Sequence, residues 1–341
     1  LDVDEVFSTY LYTGNGTDDR AINNGIDLSG EGGMVWIKNR DFAFDHLIGD
    51  TERGITKGIR PNNTVPENNF SDRIKTVTST GFTIGTADEI NSSNTGYTGS
   101  LMKYCSWTFR KAPKFFDIVT WTGDGTTNRA ISHNLGSTPG CIIIKRTSLA
   151  DGWYVHHRYD YTKYGFLSST NAFQSTNSGT YFGSTAPNNT HFYLGQGGNG
   201  NNASGQTYVA YLFAHNNSDG EFGPDADQDI IKCGSYTGNG STDGTEVNLG
   251  FEPQWLLIKD TTSTGSWYLL DVMRGIVTDG NDSELYANQS NAEATVRELI
   301  NLTPTGFKLK ISNIINTNNN LYIYMAIRRG PLAEPESATD V

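Results

Sequence analysis

A short string recurs three times in this chain of 341 residues: an aromatic residue, Thr, Gly, Asn or Asp, and Gly. The three occurrences begin at Tyr12, Trp121 and Tyr236, with spacings of 109 and 115 residues. A recurrence at so nearly constant a spacing indicates an internal tandem repeat. We therefore predict three copies of one module of about 110 residues, which occupy residues 1–113, 114–229 and 230–341, the third ending in a polar C-terminal tail.

Later parts of the copies also correspond. Each copy has an apolar run that ends in Lys, and each closes with an aromatic strand. The apolar runs lie at residues 34–38, 141–145 and 255–259, and the closing runs at residues 104–109, 208–213 and 322–327.

The composition favours short β-strands over helices. Charged residues make up only 18% of the chain, and it contains 38 Gly, 17 Tyr and 16 Phe. Runs of four to six β-branched and aromatic residues between Gly, Asn, Asp and Pro are typical of strands. Continuous apolar runs such as Ile142–Ile144 predict strands buried on both faces, as in two packed sheets. We expect an all-β protein of three antiparallel β-sandwiches, jelly-roll or lectin-like, arranged as a rod or arc.

The repeated Gly-Asx-Gly supplies residues that tolerate a positive φ, which predicts a tight hairpin turn at the start of each copy. Strand order within a copy is left open by the sequence.

Charge argues against several partners. The formal net charge is −12 and the pI is about 4.9, so we expect repulsion from nucleic acid. No apolar stretch reaches the roughly 18 residues of a membrane helix, and no signal-peptide pattern opens the sequence.

Cys105, Cys141 and Cys233 occupy non-equivalent places in the copies and have no metal-ligand spacing, which predicts free, buried thiols and assembly in a reducing cytoplasm.

The chain shows no motif of a known catalytic or nucleotide-binding class, and we predict that it is not an enzyme. Asp50 and Arg53 align with Asp271 and Arg274, a pattern typical of a local ion pair that holds a turn; a catalytic carboxylate with an orienting Arg is the alternative. In the second copy His157 stands in place of the Asp. Its neighbour His156 should point to the opposite face of a strand, one side chain inward and one outward, so the pair cannot share a metal ion.

Two acidic loops are candidate calcium sites, because calcium takes six to eight oxygen ligands from flexible loops. Neither has the EF-hand spacing, and solvated acidic loops are commoner, so we predict no cofactor, with calcium as the alternative. The candidate ligands are Asp219, Asp225 and Asp227 in one loop and Asp279 and Asp282 in the other.

Several longer strings carry a family resemblance: residues 32–40 in the first copy, and residues 229–240, 248–255 and 324–331 in the third. In these strings the chain resembles an uncharacterised family of tandem-repeat proteins of tailed phages of marine bacteria. The resemblance implies lectin-like sandwiches and a virion-associated or tail-related role, and it supplies no catalytic or binding residues.

These observations lead to the hypothesis of a virion structural protein, in a tail fibre, head fibre or surface decoration. It would assemble in the host cytoplasm, be exposed outside the cell, bind other virion proteins, form a homo-oligomer and contact a host surface glycan. Trp153 and Tyr181, expected as exposed loop aromatics, are the candidates for stacking on a sugar. A carbohydrate-binding adhesin and, less favoured, a glycan depolymerase are the alternatives. The position on the virion and the receptor are left open.

Overall fold

The protein is built almost entirely from β-strands, which confirms the predicted all-β class. The computed structural model describes residues 1–95, 99–175, 181–195 and 200–330, and the predicted tail lies outside them. Among these described residues, helix is limited to one 3₁₀ turn, Val3–Glu5, and one α-helix, α1, at Asp88–Asn91. Within the described ranges no helix has the length and apolar character needed to cross a membrane.

The strands follow the β-branched and aromatic runs of each copy. Those of the first copy are β1 Phe7–Thr13, β2 Arg20–Asn23, β3 Gly33–Asn39, β4 Leu47–Asp50, β5 Lys57–Gly58, β6 Asn68–Asn69, β7 Ile74–Thr78, β8 Gly81–Ile84 and β9 Lys103–Arg110. Those of the second copy are β10 Phe116–Thr122, β11 Ala130–Ser132, β12 Cys141–Arg146, β13 Trp153–His157, β14 Lys163–Phe166, β15 Gln174–Ser175, β16 His191–Tyr193 and β17 Thr207–Phe213.

The third copy repeats this succession. Its strands are β18 Ile231–Thr237, β19 Glu246–Asn248, β20 Pro253–Asp260, β21 Tyr268–Asp271, β22 Asp282–Tyr286, β23 Ala294–Arg297, β24 Ile300–Thr303, β25 Gly306–Leu309 and β26 Leu321–Arg328.

One antiparallel strand order recurs in the main sheet of every copy. The first strand pairs with the last, the last with the strand of the apolar run, and that strand with its successor. The orders are β1-β9-β3-β4, β10-β17-β12-β13-β14-β15 and β18-β26-β20-β21-β22-β23. A smaller sheet belongs to each copy, in the orders β2-β8-β7, β11-β16 and β19-β25-β24.

The Gly-Asx-Gly segments join these two layers, so the predicted hairpin turn is wrong. β1 lies in a main sheet and β2 in a small sheet, and the same division holds for β10 and β11 and for β18 and β19. Strands that belong to different sheets cannot close a hairpin, although the second glycine does have the expected positive φ of +66°, +76° and +67° in the three copies.

Side-chain alternation along the last strand separates two cores in the first and third copies, whereas both faces of β17 in the second copy line the central core. In β26, Ile323, Met325 and Ile327 enter a central core, whereas Tyr322 and Tyr324 pack in a cluster belonging to the third copy alone. Successive side chains on a strand point to opposite faces, so one strand serves both cores. In β9 and β17 the residues equivalent to Met325, Trp107 and Tyr211, also lie in the central core.

The central core crosses all sequence-defined boundaries between copies. The Phe109 ring of the first copy lies 5.6 Å from that of Phe213 in the second and 5.8 Å from Trp255 in the third. The expectation that each third of the chain encloses its whole apolar interior is therefore wrong, because each main sheet turns one face towards the other two copies. The boundaries at residues 113 and 229 remain a prediction.

Candidate functional site: the seams between the copies

The Asp–Arg pairs noted in the sequence are buried ion pairs that hold a turn, as predicted. In the first copy, Arg53 Nε lies 2.6 Å from Asp50 Oδ2, and the Arg53 backbone N–H donates to Asp50 Oδ1 at 2.9 Å. The same two distances join Arg274 to Asp271 in the third copy. Both carboxylates are fully buried and already accept hydrogen bonds at both oxygens, so neither is placed to act on a substrate.

A second carboxylate completes each pair into what we call a charged triad: Asp50–Arg53–Glu67 and Asp271–Arg274–Glu293. The Arg53 Nη1–Glu67 Oε2 distance is 2.8 Å, and the Arg274 Nη1–Glu293 Oε2 distance is 3.1 Å. Burial disfavours the charged guanidinium, but the adjacent carboxylates outweigh it and raise the pKa of both arginines above its ordinary value.

Each charged triad is capped by the neighbouring copy. The Tyr211 hydroxyl of the second copy donates to Asp50 Oδ2 at 2.6 Å. The Trp107 Nε1–H of the first copy donates to Asp271 Oδ2 at 3.0 Å. Tyr211 and Trp107 occupy equivalent positions on β17 and β9. The same kind of hydrogen bond, from an aromatic side chain to a triad Asp, therefore joins the first copy to the second and the third copy to the first.

The second copy lacks the charged triad. Its equivalent positions hold His157, Asp160 and Phe173, and the residue of the third copy that corresponds to Trp107 and Tyr211 is Met325. His157 Nε2 donates to the Tyr324 carbonyl at 3.3 Å, while His157 Nδ1 accepts the Tyr159 N–H at 3.2 Å. Complete burial lowers the pKa of His157 to about 3, so the imidazole is neutral.

Both neighbouring histidines are buried, so the expectation that one points outward to solvent is wrong. His156 stacks on Phe182 at 4.2 Å between ring centroids, and its Nε2 lies 2.8 Å from the Tyr161 carbonyl. Both faces of this sheet are covered, one by the central core and the other by the second copy's own small sheet.

Equivalent backbone contacts close the three copies into a ring, and the predicted rod or arc is therefore wrong. Each copy donates one backbone N–H to the next: Glu67 to the Thr147 carbonyl at 2.9 Å, Phe173 to the Thr261 carbonyl at 3.0 Å, and Glu293 to the Arg40 carbonyl at 2.7 Å. The last contact joins the third copy back to the first, and the Arg40–Glu293 ion pair at 2.8 Å reinforces it.

Trp153 belongs to this ring, and its expected exposure is wrong. The side chain is 0% exposed, and its indole N–H donates to the Arg60 carbonyl of the first copy at 2.9 Å. Trp267 makes the equivalent bond to Phe166 at 2.9 Å, and His46 to Tyr286 at 3.1 Å. Trp153 therefore fastens two copies together and cannot stack on a glycan in this arrangement.

Tyr181, the other glycan-stacking candidate, is half-buried. Its ring centroid lies 4.5 Å from that of Tyr154 and 4.7 Å from that of Tyr164. A role for Tyr181 in sugar binding stays a prediction.

The structure does not assemble the calcium candidates. Buried Asp282 accepts backbone N–H groups of Val277, Leu299 and Ile300 at 2.7 to 3.0 Å, so its oxygens hold loop backbone. Asp279 bonds to Asn301 at 3.0 Å, Asp219 accepts the Asn217 N–H at 2.7 Å, and Asp225 and Asp227 are exposed. Nowhere in the described ranges do three or more His, Cys, Asp or Glu side chains meet as metal ligands.

A buried Asn in each copy was not predicted from sequence: Asn91, Asn202 and Asn316. Each side-chain oxygen accepts the N–H of the Asx in the Gly-Asx-Gly turn, at 2.9, 3.2 and 3.0 Å. The aromatic residue that precedes the turn bonds to the carbonyl just before this Asn: Tyr12 to Ile90, Trp121 to Asn201 and Tyr236 to Ile315. The repeated string therefore forms a turn that is held by a buried Asn. This Asn recurs in all three copies, so an alignment of the copies could have identified it.

A polar opening lies beside the segment between β17 and β18, the linker that joins the second and third copies. Two adjoining hollows of about 780 and 560 Å³ share His215 and Asn217, and we call them together the linker cleft. Arg158 and Tyr161 line the side of the second copy, and Tyr324 and Arg328 that of the third.

One family model matches residues 2–331, which include all three copies; it is described as a domain of unknown function, DUF7483. The chain belongs to the DUF7483 family. No curated protein and no solved structure matches the chain. Because a single match runs through every seam, the family is defined on the whole triplicated unit and not on one copy.

Proposed function

We propose that the chain is a non-enzymatic structural protein of a tailed-phage particle, in a tail fibre, head fibre or surface decoration. The observation that carries the proposal is the closed ring: three copies share one core, and every seam is fastened by buried bonds. Such a body has few ways to open locally, and a component exposed outside the cell benefits from that resistance to proteolysis. The family resemblance of the repeated strings supports the same role.

The ring also bears on assembly. Three copies within one chain already supply a threefold-like arrangement of equivalent surfaces, so the chain can meet a threefold partner without forming a trimer itself. A homo-oligomer and contacts with other virion proteins remain part of the proposal.

Mass spectrometry of gradient-purified particles of the phage that encodes this sequence tests the proposal. We expect the polypeptide to co-sediment with infectious particles, and antibodies against it to label one fixed position on them in electron micrographs. Recovery of the polypeptide only from the soluble fraction of infected cells would contradict a virion role.

The second candidate is a carbohydrate-binding adhesin, and the observation that favours it is the polar linker cleft. A glycan array combined with the particle analysis separates the two roles, since selective glycan binding by a chain that is absent from purified particles supports the adhesin. A glycan depolymerase is disfavoured because the paired carboxylates are buried in the charged triads. Release of reducing ends from host capsule by the purified chain would revive it.

A further inference from the structure

The linker cleft contains a cation that the protein leaves unpaired. Lys114 pairs with Glu221 at 2.6 Å, and Lys232 pairs with Asp229 at 2.8 Å. Arg158 is exposed, and the described residues offer its guanidinium neither a hydrogen bond nor an ion pair.

Arg158 lies within electrostatic reach of both walls of the cleft. Burial raises the pKa of Tyr161 in the second copy and of Tyr324 in the third to about 12, and the charge of Arg158 opposes both shifts. A guanidinium with five N–H donors in a planar fork matches the two oxygens of a carboxylate. An anion entering the cleft therefore meets a free partner of suitable geometry.

Three neutral donors line the same space. His215 Nδ1 accepts the Cys233 N–H at 3.1 Å, so the proton of the neutral ring is on Nε2, which has no acceptor among the described residues. The side-chain amide of Asn217 is likewise without a partner there. Ser137 adds a hydroxyl that is buried and unsatisfied. Such groups hydrogen-bond sugar hydroxyls well and interact poorly with apolar ligands.

The acidic side chains of the cleft limit the ligand's charge. Asp219, Asp227 and Asp229 lie in its lining, and they would repel a polyanion such as nucleic acid while accepting bonds from hydroxyl groups. We infer that the linker cleft binds an acidic saccharide, with Arg158 holding the sugar carboxylate. This inference does not depend on the virion role, and the site differs from Trp153 and Tyr181.

Calorimetric titration of the full chain tests the inference, with trigalacturonate and glucuronate oligomers as acidic probes and maltotriose as the neutral probe. We expect saturable binding of an acidic probe, and binding of maltotriose that is at least roughly tenfold weaker, because hydrogen bonds to a charged group are the stronger ones. Arg158→Gln should lower the affinity for the acidic probe roughly 10- to 100-fold, and Arg158→Lys should retain part of that affinity.

Lys163→Gln is the matched control, since Lys163 is a partly exposed cation of the same copy outside the cleft, and its variant should bind as the parent does. Because Arg158 is exposed, its variants should keep the parent's thermal midpoint. Unchanged affinity in Arg158→Gln, equal affinity for maltotriose, or no saturable binding of any acidic probe would overturn the inference.

Two further probes define the ligand. Inorganic sulfate bound as tightly as trigalacturonate would overturn the saccharide part of the inference. Monomeric galacturonate distinguishes sources that share the chemistry: weaker binding than the trimer supports a surface polysaccharide, whereas equal binding supports a free sugar acid.

Discussion

The seam between the second and third copies has neutral side chains at the buried positions where the other two seams have a charged triad. At the first–second and third–first seams, a charged triad accepts a hydrogen bond from Tyr211 or Trp107. At the second–third seam a neutral His157 and the apolar Phe173 and Met325 take the equivalent places. One chain therefore contains both solutions to the same packing problem.

The difference teaches that the four positions are coupled. A buried ion pair gains little over well-packed apolar residues, but removing one partner leaves an uncompensated charge. An Asp at position 157 would lack both the Arg side chain and the Tyr hydroxyl or Trp indole donor of the neighbouring copy, since Asp160 and Met325 supply neither. Replacement of the whole set is tolerable where replacement of one member is not, and this explains why all four differ together.

The largest expected effect comes from breaking a charged triad. Asp271→Ala should lower the free energy of unfolding by about 3–5 kcal/mol, because Arg274 is fully buried and would lose its closest partner. Urea unfolding measures the change. His157→Ala at the neutral seam should cost less, about 1–2 kcal/mol. Lys308→Gln, which removes a pair with the exposed Asp243, is the control and should leave the free energy of unfolding nearly unchanged. Equal losses for Asp271→Ala and His157→Ala would contradict the comparison.

A rebuilt seam tests the coupling. His157→Asp alone should lower the free energy of unfolding by about 2–4 kcal/mol, since it buries a carboxylate without a cation. Adding Asp160→Arg, Phe173→Glu and Met325→Trp should recover most of that loss by recreating a charged triad. The same urea titrations give the result, and a fourfold variant no more stable than His157→Asp would show that the positions act independently.

Substitution of the buried asparagines tests whether the copies differ in stability away from the seams. Asn91→Ala, Asn202→Ala and Asn316→Ala should each lower the free energy of unfolding by about 1–3 kcal/mol. Each substitution removes the hydrogen-bond acceptor of a turn N–H. We expect the three losses to agree closely, which would locate the difference at the seams. Thermal unfolding of the three variants side by side is the measurement, and a markedly smaller loss in the second copy would argue for a difference throughout that copy.

The smallest effect is a pH dependence carried by the neutral seam. Below pH about 6.5 the unfolded chain takes up a proton on His157, whereas the folded chain does so only near its pKa of about 3, so stability falls as the pH is lowered through this window. Between pH 7 and 5.5, His157 should account for about 1 kcal/mol of the loss. His157→Gln, a neutral hydrogen-bonding replacement, should remove that part of the slope in urea titrations at the two pH values. An unchanged slope would mean that the His157 ring is not neutral and buried.

Part of the candidate site was predictable from sequence. The Asp–Arg spacing of three residues beside a Gly predicted the turn-holding ion pairs, because both partners lie in one local segment. Glu67 and Glu293 were not predictable as their partners, nor were Tyr211 and Trp107 as donors, because these residues are distant in sequence. Trp153 was misplaced for the same reason: its acceptor, the Arg60 carbonyl, lies in another copy.

The sequence by itself determined the all-β class and the longer strands, since these depend on the order of apolar, aromatic and turn residues within short windows; the boundaries of the three copies stay a prediction. Only the tertiary structure decided that the copies close into a ring, which faces of the sheets are buried, and which polar side chains meet at each seam. The contacts that close the ring join residues as far apart as Arg40 and Glu293. No local pattern encodes such a pairing, because its free energy arises only when the main sheets pack against one another and exclude water from the seams.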